Sequence, residues 1–424
     1  MYKIIWTGNK KNFIYEVIYI KKCGLLGEKL GHSYSPRIHA MLSREYSYEL
    51  FECAPDNLEK FLLNANFFGL NVTVPYKKSV VKYCSELSEI AKKIGSVNTI
   101  VRRENGILYG DNTDYFGFKY MLYKNSIDVA GKKVLILGSG GASLSVKEVL
   151  EKSGANVVVI SRSGENNYKN ILRHNNAKII VNTTPVGMFP NNGNSPINLD
   201  IFSCLEAVLD IIYNPMRTSL MLQAESLGIK NFGGLDMLVA QAKRSAEIFI
   251  GDKIDNAIIE KIARKLAISM QNIILIGISG CGKSTIAKLL KMATGRKIID
   301  SEQIAKQKIK SSACNVDTKN SKIFFKDNES LVLEQLGKKS AKIISTSEGC
   351  FADNKNYLFL HQNGIIFWLR RDFNLIKNNE LNLSKDVLTE REAFYYKFAD
   401  FIIDNNGSPK QTLGKILDIL ERNT

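Results

Sequence analysis

The sequence has few of the residues that build disulfide frameworks, zinc sites and membrane helices. Its seven cysteines are scattered and odd in number, none forms a CxxC pair, and only four histidines are present. No stretch approaches the roughly 20 apolar residues that a membrane helix needs. Residues 1–22 lack the apolar core and small-residue cleavage site of a signal peptide. We therefore expect a cytoplasmic protein with reduced thiols and no membrane partner.

The formal net charge of +16 raises the question of a nucleic-acid partner. The basic residues are spread along the chain, and no Lys/Arg block is interleaved with the aromatic residues on which single-strand binders stack bases. We interpret the charge as solvated lysine-rich faces and expect no nucleic-acid partner. A nucleic-acid-binding protein with a phosphate loop is the non-enzymatic alternative.

Two glycine-rich loops divide the chain of 424 residues, which is too long for one ordinary core. Each loop follows an apolar run, at 133–137 and at 272–276, and precedes a helical pattern. This strand–loop–helix context is typical of phosphate-binding loops, so we expect two nucleotide-binding α/β regions. The candidate residues are Gly138, Ser139, Gly140, Gly141 and Ala142 in the first loop, and Gly277, Gly280, Gly282, Lys283, Ser284 and Thr285 in the second.

The nature of the first nucleotide is indicated by the segment after the apolar run 156–160. NAD sites usually carry Asp or Glu there to bind the ribose hydroxyls. This chain instead has Ser161, Arg162 and Ser163, and an arginine with flanking hydroxyls suits a 2′-phosphate. The segment predicts NADP(H), and the alternative is that Arg162 is a solvated loop residue.

Polar residues ahead of the first loop offer many hydrogen-bond partners to a hydroxylated, carboxylated ligand. Ser33 and Ser35 precede a helix, and the segment 71–77 ends an apolar strand with Thr73 and Lys77. Asn98 and Asp114 follow short glycine-containing turns. Each segment alone is also ordinary turn chemistry. Together they provide one lysine and one aspartate for proton transfer.

This set of motifs resembles the shikimate dehydrogenase family from about residue 23 to about residue 268. The matching segments occur in family order and are SxSP at 33–36, NVTxPxK at 71–77, GSVNT at 95–99, NTD at 112–114, the glycine loop, NTTPVGM at 182–188, 210–215 and GLDMLVAQ at 234–241. The family reduces 3-dehydroshikimate to shikimate with NADPH. A lysine ammonium can stabilise and protonate the alkoxide left by hydride transfer, and an aspartate can keep that lysine charged.

The resemblance implies a role for each matching residue. Lys77 and Asp114 would form the catalytic pair. The substrate would be bound by Ser33, Ser35, Thr73, Asn98, Tyr213 and Gln241. The dinucleotide would be contacted by Gly138, Ser139, Gly140, Gly141, Ala142, Ser161, Arg162, Ile211 and Gly234.

The second loop matches GxxxxGK[ST] in full, and residues 272–424 resemble shikimate kinase in the order of their motifs. The loop amides would cradle the phosphates of ATP, Lys283 would reach the β- and γ-phosphates, and Ser284 would hold Mg²⁺ together with Asp300. The resemblance implies that shikimate is bound by Asp300, Glu302, Lys326, Gly349 and Arg391.

Several kinase positions depart from the family pattern. Glu302 replaces an aspartate, Lys326 replaces an arginine that grips the shikimate carboxylate, and Ser347 and Glu348 replace glycines. The lid at 379–386 is short and lacks the family's arginine. We expect a bifunctional enzyme, because the first module would make the substrate of the second. The alternative is a dehydrogenase with a catalytically weak nucleotide-binding appendage.

The expected architecture is α/β throughout. Residues 23–124 form an α/β substrate domain completed by helices at 236–268, and residues 125–235 form a Rossmann domain. Residues 271–424 form an α/β/α phosphate-loop kinase domain. Residues 1–22 are an extension, either an extra strand or a disordered leader, and 253–270 are expected to be one amphipathic helix. A homodimer is compatible with the sequence, which does not determine the oligomeric state.

Overall fold

The computed structural model describes residues 2–5, 14–17, 20–31, 33–311, 321–376 and 385–422. These residues form two compact units. The first contains residues 1–184, 200–211 and 234–263, and the second contains residues 185–199, 212–233 and 264–424. Within the described residues, no helix is long and apolar enough to cross a membrane.

The described residues contain eighteen strands and fourteen α-helices. The strands are β1 (Tyr2–Ile5), β2 (Ile14–Val17), β3 (Lys21–Gly27), β4 (Tyr46–Glu52), β5 (Gly69–Val72), β6 (Glu86–Leu87), β7 (Thr99–Arg102), β8 (Leu108–Asp111), β9 (Lys133–Leu137), β10 (Asn156–Ile160), β11 (Ile179–Asn182), β12 (Ala207–Asp210), β13 (Lys230–Phe232), β14 (Asn272–Ile276), β15 (Lys297–Asp300), β16 (Lys342–Ser345), β17 (Gly364–Arg370) and β18 (Phe401–Asp404). The helices are α1 (Ser35–Leu42), α2 (Leu58–Asn64), α3 (Glu89–Ile94), α4 (Thr113–Lys124), α5 (Gly141–Lys152), α6 (Ser219–Ser226), α7 (Leu235–Ile250), α8 (Ala257–Met270), α9 (Lys283–Thr294), α10 (Ser301–Ser311), α11 (Ser321–Gly337), α12 (Asn354–His361), α13 (Lys385–Phe398) and α14 (Pro409–Arg422).

The first unit is built on two sheets. A mixed six-stranded sheet has the order β4-β3-β5-β7-β8-β6, with β3 parallel to β5 and with β7 antiparallel to both of its neighbours. A parallel sheet follows, in which β9 lies between β10 and β11, and β11 pairs with β12. Helix α5 connects β9 to β10, as in dinucleotide-binding folds, whereas only short 3₁₀ turns lie between β10 and β11 and between β11 and β12. The expected α/β class is thus confirmed for this part of the chain.

The N-terminal extension is partly described. Its strands β1 and β2 pair antiparallel with each other. Of the two expectations for residues 1–22, the described residues match the additional strand. The first strand of the six-stranded sheet, β3, begins at Lys21.

The second unit is built around a parallel sheet of order β15-β16-β14-β17-β18. Alternate residues of the central strand enter different cores: Ile274 and Ile276 pack on one face, and Ile273 and Leu275 on the other. A parallel sheet covered on both faces requires continuous apolar strands, which explains the unbroken sequence Ile273–Ile276. The expected α/β/α layering is confirmed.

Residues 185–199 and 212–233 belong to the same unit as the C-terminal sheet. Main-chain N–H of Met216 donates to the side-chain oxygen of Asn363 at 2.9 Å. The Arg217 guanidinium donates to the His361 carbonyl at 3.1 Å. The buried amide of Asn192 donates to Gln362 at 2.8 Å. These contacts tie the two segments to the α12–β17 connection.

The helix expected over 253–270 begins four residues later than the sequence indicates. Asp255 accepts a hydrogen bond from the main chain of Ala257 at 3.0 Å, which favours a helix start after Asp255 rather than within 253–256. The helix is amphipathic as expected, since Ile259, Ile262 and Leu266 are buried and Ile258 is half-buried. The connection to β14 is Gln271 alone.

Candidate functional site

The predicted substrate residues lie at one edge of the six-stranded sheet. Because β3 and β5 are parallel, the loops after their carboxyl ends share that edge, and these loops carry Ser35 and Thr73. Strand β7 is antiparallel to β5, so Asn98, which precedes it, lies at the same edge. Strand β8 ends there at Asp111, just before the helix that carries Asp114.

Lys77 and Asp114 form the centre of this edge. The Lys77 ammonium lies 2.5 Å from one carboxylate oxygen of Asp114, and both side chains are largely buried, with exposures of 15% and 8%. The Asn98 amide donates to the other oxygen of Asp114 at 2.9 Å. Asp114 also lies in the first turn of α4, where the helix dipole favours a carboxylate. The aspartate is thereby held in place, and it fixes the position of the ammonium.

Thr113 extends this cluster and was not singled out from the sequence. Its main-chain N–H donates to the side-chain oxygen of Asn98 at 2.7 Å, which orients the Asn98 amide toward Asp114. Its hydroxyl lies 3.4 Å from the Gln241 side-chain oxygen, so Gln241 reaches the same cluster from α7. Thr113 is the middle residue of the NTD motif, and the preceding Asn112 caps α4 through its side chain.

Helix α1 begins at Ser35 and carries His39 one turn later, where His39 belongs to a stack of aromatic rings. The His39 ring stacks on Tyr48 with ring centroids 3.8 Å apart. Burial lowers the pKa of His39 to about 3, so the ring is neutral at pH 7. Tyr48 donates to the Asn71 side chain at 2.7 Å. The stacked rings therefore add no charge to this part of the sheet.

The structure says less about two other substrate candidates, Ser33 and Tyr213. The Ser33 hydroxyl accepts a hydrogen bond from the main chain of Ser35 at 3.2 Å, within the loop after β3. His32, which belongs to the same motif, lies outside the described residues. Tyr213 belongs to the second unit, whereas the cluster around Lys77 belongs to the first. Its role in substrate binding stays a prediction.

The first glycine loop lies against the catalytic candidates. A side chain at Gly141 would place its Cβ 3.1 Å from the Cβ of Lys77, so glycine permits this close approach. Gly140 precedes the first turn of α5, and Gly138 has a φ of 105°, which favours glycine. The free amides of a helix N-terminus are suited to a pyrophosphate. The loop can therefore hold a dinucleotide beside Lys77.

The other dinucleotide candidates end neighbouring parallel strands. Ile160 pairs in register with Leu137, which places Ser161 and the exposed Arg162 beside Gly138. Further along the sheet, the Ile211 N–H donates to the Asn182 carbonyl at 3.1 Å. A Cβ at Gly234 would lie only 2.0 Å from the Ile211 carbonyl oxygen, so this position requires glycine. The structure thus brings these candidates to one edge of the parallel sheet.

The second glycine loop connects β14 to α9. Its glycines Gly277, Gly280 and Gly282 all have positive φ. The Lys283 ammonium donates to the carbonyls of Gly277 at 2.7 Å and Ile278 at 3.0 Å. Ser284 and Thr285 are exposed in the first turn of α9. Among the described residues, no group of three His, Cys, Asp or Glu side chains is arranged to hold a metal ion.

The predicted acceptor residues of the kinase-like region meet at the carboxyl edge of its sheet. Asp300 pairs in register with Ser345, and the segment after Ser345 runs beside the glycine loop. Asp300 caps α10 by accepting from Gln303, and Glu302 pairs with Lys306 at 2.6 Å. The predicted lid lies largely outside the described residues, which resume at 385.

A cavity in this region contains two of the acceptor candidates. It is lined by Lys326, Asp327, Glu329, Ser330, Gly349, Asp353 and Asn356. Burial raises the pKa of the Glu329 carboxyl above its usual value. Arg391 forms an ion pair with Glu348 at 2.7 Å. The sequence alone did not indicate this pair, because its members are far apart in the chain.

Comparisons with known proteins agree with both sets of motifs. Residues 25–100 match the family model of the shikimate dehydrogenase substrate binding domain, and residues 279–421 match the shikimate kinase model. An NADP(+)-dependent shikimate dehydrogenase of Clostridium perfringens is 37% identical over 268 residues, which is 58% of this chain and 98% of the relative.

Two solved structures cover the same part of the chain. Shikimate dehydrogenase 1 from Peptoclostridium difficile is 41% identical, with a TM-score of 0.55 over 58% of this chain and 98% of its own. Shikimate 5-dehydrogenase from Thermus thermophilus, solved in complex with NADP(H) and shikimate, is 29% identical, with a TM-score of 0.53 over 58% and 99%. The likeness thus spans nearly the whole length of these proteins.

Proposed function

The chain belongs to the shikimate dehydrogenase family, and we propose on that basis that it is a bifunctional enzyme of the shikimate pathway. The first activity is the NADPH-dependent reduction of 3-dehydroshikimate to shikimate. The second is the ATP-dependent phosphorylation of shikimate by the C-terminal region. The scattered free cysteines support a cytoplasmic location.

The ion pair between Lys77 and Asp114 is the observation that carries the dehydrogenase assignment. A ketone that accepts a hydride becomes an alkoxide and needs a proton. The Lys77 ammonium stabilises that charge and donates the proton, while Asp114 and Asn98 hold the lysine in position. Ser33, Ser35, Thr73, Asn98, Tyr213 and Gln241 are proposed to bind the hydroxyl and carboxylate groups of the substrate.

The residues around the first glycine loop fit NADP(H). The crowding of Gly141 against Lys77 and of Gly234 against Ile211 leaves no room for side chains where a dinucleotide would lie. The exposed Arg162 guanidinium is available to a 2′-phosphate. When bound, NADPH supplies the hydride, and the chain contributes orientation and electrostatics.

The second glycine loop supports ATP binding by the kinase-like region. Lys283 is proposed to leave the loop carbonyls and bind the phosphates, with Ser284 and Asp300 holding Mg²⁺. A site with so few protein ligands suits Mg²⁺, which keeps several waters and binds substrate phosphates. Asp300, Glu302, Lys326, Gly349 and Arg391 are proposed to bind shikimate.

A pair of assays on the purified chain tests both activities. One assay follows the reduction of NADP by shikimate, and the other follows ADP release from ATP with shikimate and without NADP. Lys77→Ala is expected to remove only the first activity, and Lys283→Ala only the second. If ATP binds but shikimate never stimulates ADP release, the C-terminal region is a nucleotide-binding appendage.

A further inference from the structure

Glu348 occupies the phosphate loop of the kinase-like region with its own carboxylate. One carboxylate oxygen accepts a hydrogen bond from the main-chain N–H of Ser279 at 3.2 Å. The other lies 2.7 Å from the Arg391 guanidinium. A single side chain therefore joins the loop that would bind ATP to an arginine proposed to bind the acceptor.

The groups that Glu348 engages are suited to other anions. Main-chain amides of a glycine-rich loop bind phosphate oxygens, and a guanidinium pairs well with a carboxylate. Lys283 is also withdrawn, since its ammonium donates to the carbonyls of Gly277 and Ile278. The described arrangement is thus a closed state, in which Glu348 substitutes for one ligand at each of two sites.

At Glu348, the side chain can move without the main chain when this state opens. The buried Tyr395 donates its hydroxyl hydrogen to the Glu348 carbonyl at 2.6 Å, which fixes the main chain at this position. The Glu348 side chain as a whole remains about one quarter exposed, at 26%. An incoming phosphate can therefore displace it toward solvent without unfolding the loop.

We propose that Glu348 is a positioning residue that blocks Arg391 until ATP binds, so that nucleotide binding promotes binding of the acceptor carboxylate. A phosphate on the loop competes with Glu348 for the Ser279 amide and repels its carboxylate. Arg391 is then free to pair with the acceptor. The inference rests on the proposed kinase function and adds an order of binding to it. Because coupling between two ligands is reciprocal, a bound acceptor must strengthen ATP binding by the same factor.

The first test uses nucleotide alone and does not depend on the acceptor. The binding of a magnesium complex of a non-hydrolysable ATP analogue is measured by calorimetry on the full chain. Glu348→Gln keeps the size of the side chain and removes its charge, so the analogue should bind roughly five- to tenfold more tightly, the range of a modest coupling between sites. Glu334→Gln, which removes a surface carboxylate paired with Lys338, is the matched control and should bind like wild type.

The second test measures the coupling. ADP release is followed while ATP and shikimate are both varied, without NADP so that the dehydrogenase is silent. In the wild type, the KM for ATP should fall as shikimate rises; in Glu348→Gln, the two should be independent. Thermal unfolding followed by calorimetry, compared with the wild type, reports whether the C-terminal region of each variant is folded, and Glu348→Ala replaces Glu348→Gln if the latter does not fold.

The outcomes distinguish the proposed role of Glu348 from the proposed kinase function. Equal or weaker binding of the analogue to the Glu348 variant overturns the proposal, even if shikimate is phosphorylated. Tighter binding with coupling unchanged from wild type overturns it as well. If shikimate never stimulates ADP release, the kinase function fails, and tighter nucleotide binding alone still supports displacement of Glu348 from the loop.

Discussion

At the scale of single residues, substitution of Lys77 tests the proposed chemistry most directly. Lys77→Ala removes the ammonium and leaves Asp114 with Asn98 as its described partner. We expect kcat for shikimate oxidation to fall about 10²–10⁴-fold, the usual cost of losing a positioned acid–base group. Shikimate binding should be largely retained, because the hydroxyl groups of the site remain.

The neighbouring exposed lysine provides the control for that experiment. Lys78→Ala removes the same charge one residue away and should leave kcat close to wild type. Steady-state rates and shikimate binding by calorimetry are measured on both variants. If Lys77→Ala keeps more than about a tenth of wild-type kcat, the proton donor has been misassigned.

The exposed Arg162, which follows β10, is proposed to determine the preference for NADP over NAD. Arg162→Ala should lower kcat/KM for NADP by roughly 10- to 100-fold, because a hydrogen bond to a charged group contributes about 1.5–3 kcal/mol. The value for NAD should hardly change. Arg173→Ala, at another exposed arginine, is the control. Equal use of the two cofactors by the wild type would contradict this role.

At the scale of elements, the boundaries of three strands that consist of apolar runs could be predicted closely. The runs 133–137, 156–160 and 272–276 coincide with β9, β10 and β14. Strands β9 and β14 are almost wholly buried, and buried parallel strands must be apolar, so the pattern and the boundary coincide there. Strand β10 is a half-buried edge strand, and its three consecutive valines favour a strand by themselves. The predicted start of α8 was wrong. Ile254 continues the apolar pattern toward residue 253, but the Asp255 side chain accepts from the main chain of Ala257 and favours a helix start after Asp255. Local capping decided the boundary there.

The candidate site was predictable where one segment carries several of its residues. The motif around Lys77 and the segment before Asp114 each end a strand, so the sheet brings them together. The pair of Glu348 with Arg391 could not be found in this way. No local motif contains both residues, and their pairing depends on how α13 packs against the sheet at β17.

Lys326 on α11 is the element-scale test of the acceptor site. It lines the cavity that also contains Glu329 and Gly349. Lys326→Arg should lower the KM for shikimate roughly three- to tenfold, because a planar guanidinium makes two parallel hydrogen bonds to a carboxylate where an ammonium acts as a point charge. ADP release against shikimate concentration measures the effect.

The control for that substitution is Lys338→Arg. Lys338 directly follows the last residue of α11, pairs with Glu334 and does not line the cavity. It should leave the KM unchanged. If Lys326→Arg raises the KM instead, the cavity is adapted to a lysine, and the acceptor carboxylate is held elsewhere.

At the scale of the whole molecule, the C-terminal region supports the end of the dehydrogenase segment. The buried guanidinium of Arg296 donates to the carbonyls of Ile268 and Gln271, where α8 ends. Met216 and Arg217 bond to Asn363 and His361 in the second unit. These hydrogen bonds, with that of Asn192 to Gln362, are among the described links between the residues that match the dehydrogenase family and those that match the kinase.

A chain truncated after Gln271 tests whether those links are needed for the first activity. The Clostridium perfringens relative aligns with this chain over 98% of its own length without the C-terminal region, so the truncated chain should fold and keep kcat for shikimate oxidation within about threefold. Groups that lose partners, such as those of Met216 and Arg217, become solvated rather than left buried, so each lost bond should cost only about 1 kcal/mol. The melting temperature should therefore fall by a few degrees. The full chain with Lys283→Ala, which keeps every link but lacks nucleotide binding, is the matched control. An inactive or insoluble truncated chain, beside an active Lys283→Ala chain, would mean that the C-terminal region is part of the fold on which the dehydrogenase depends.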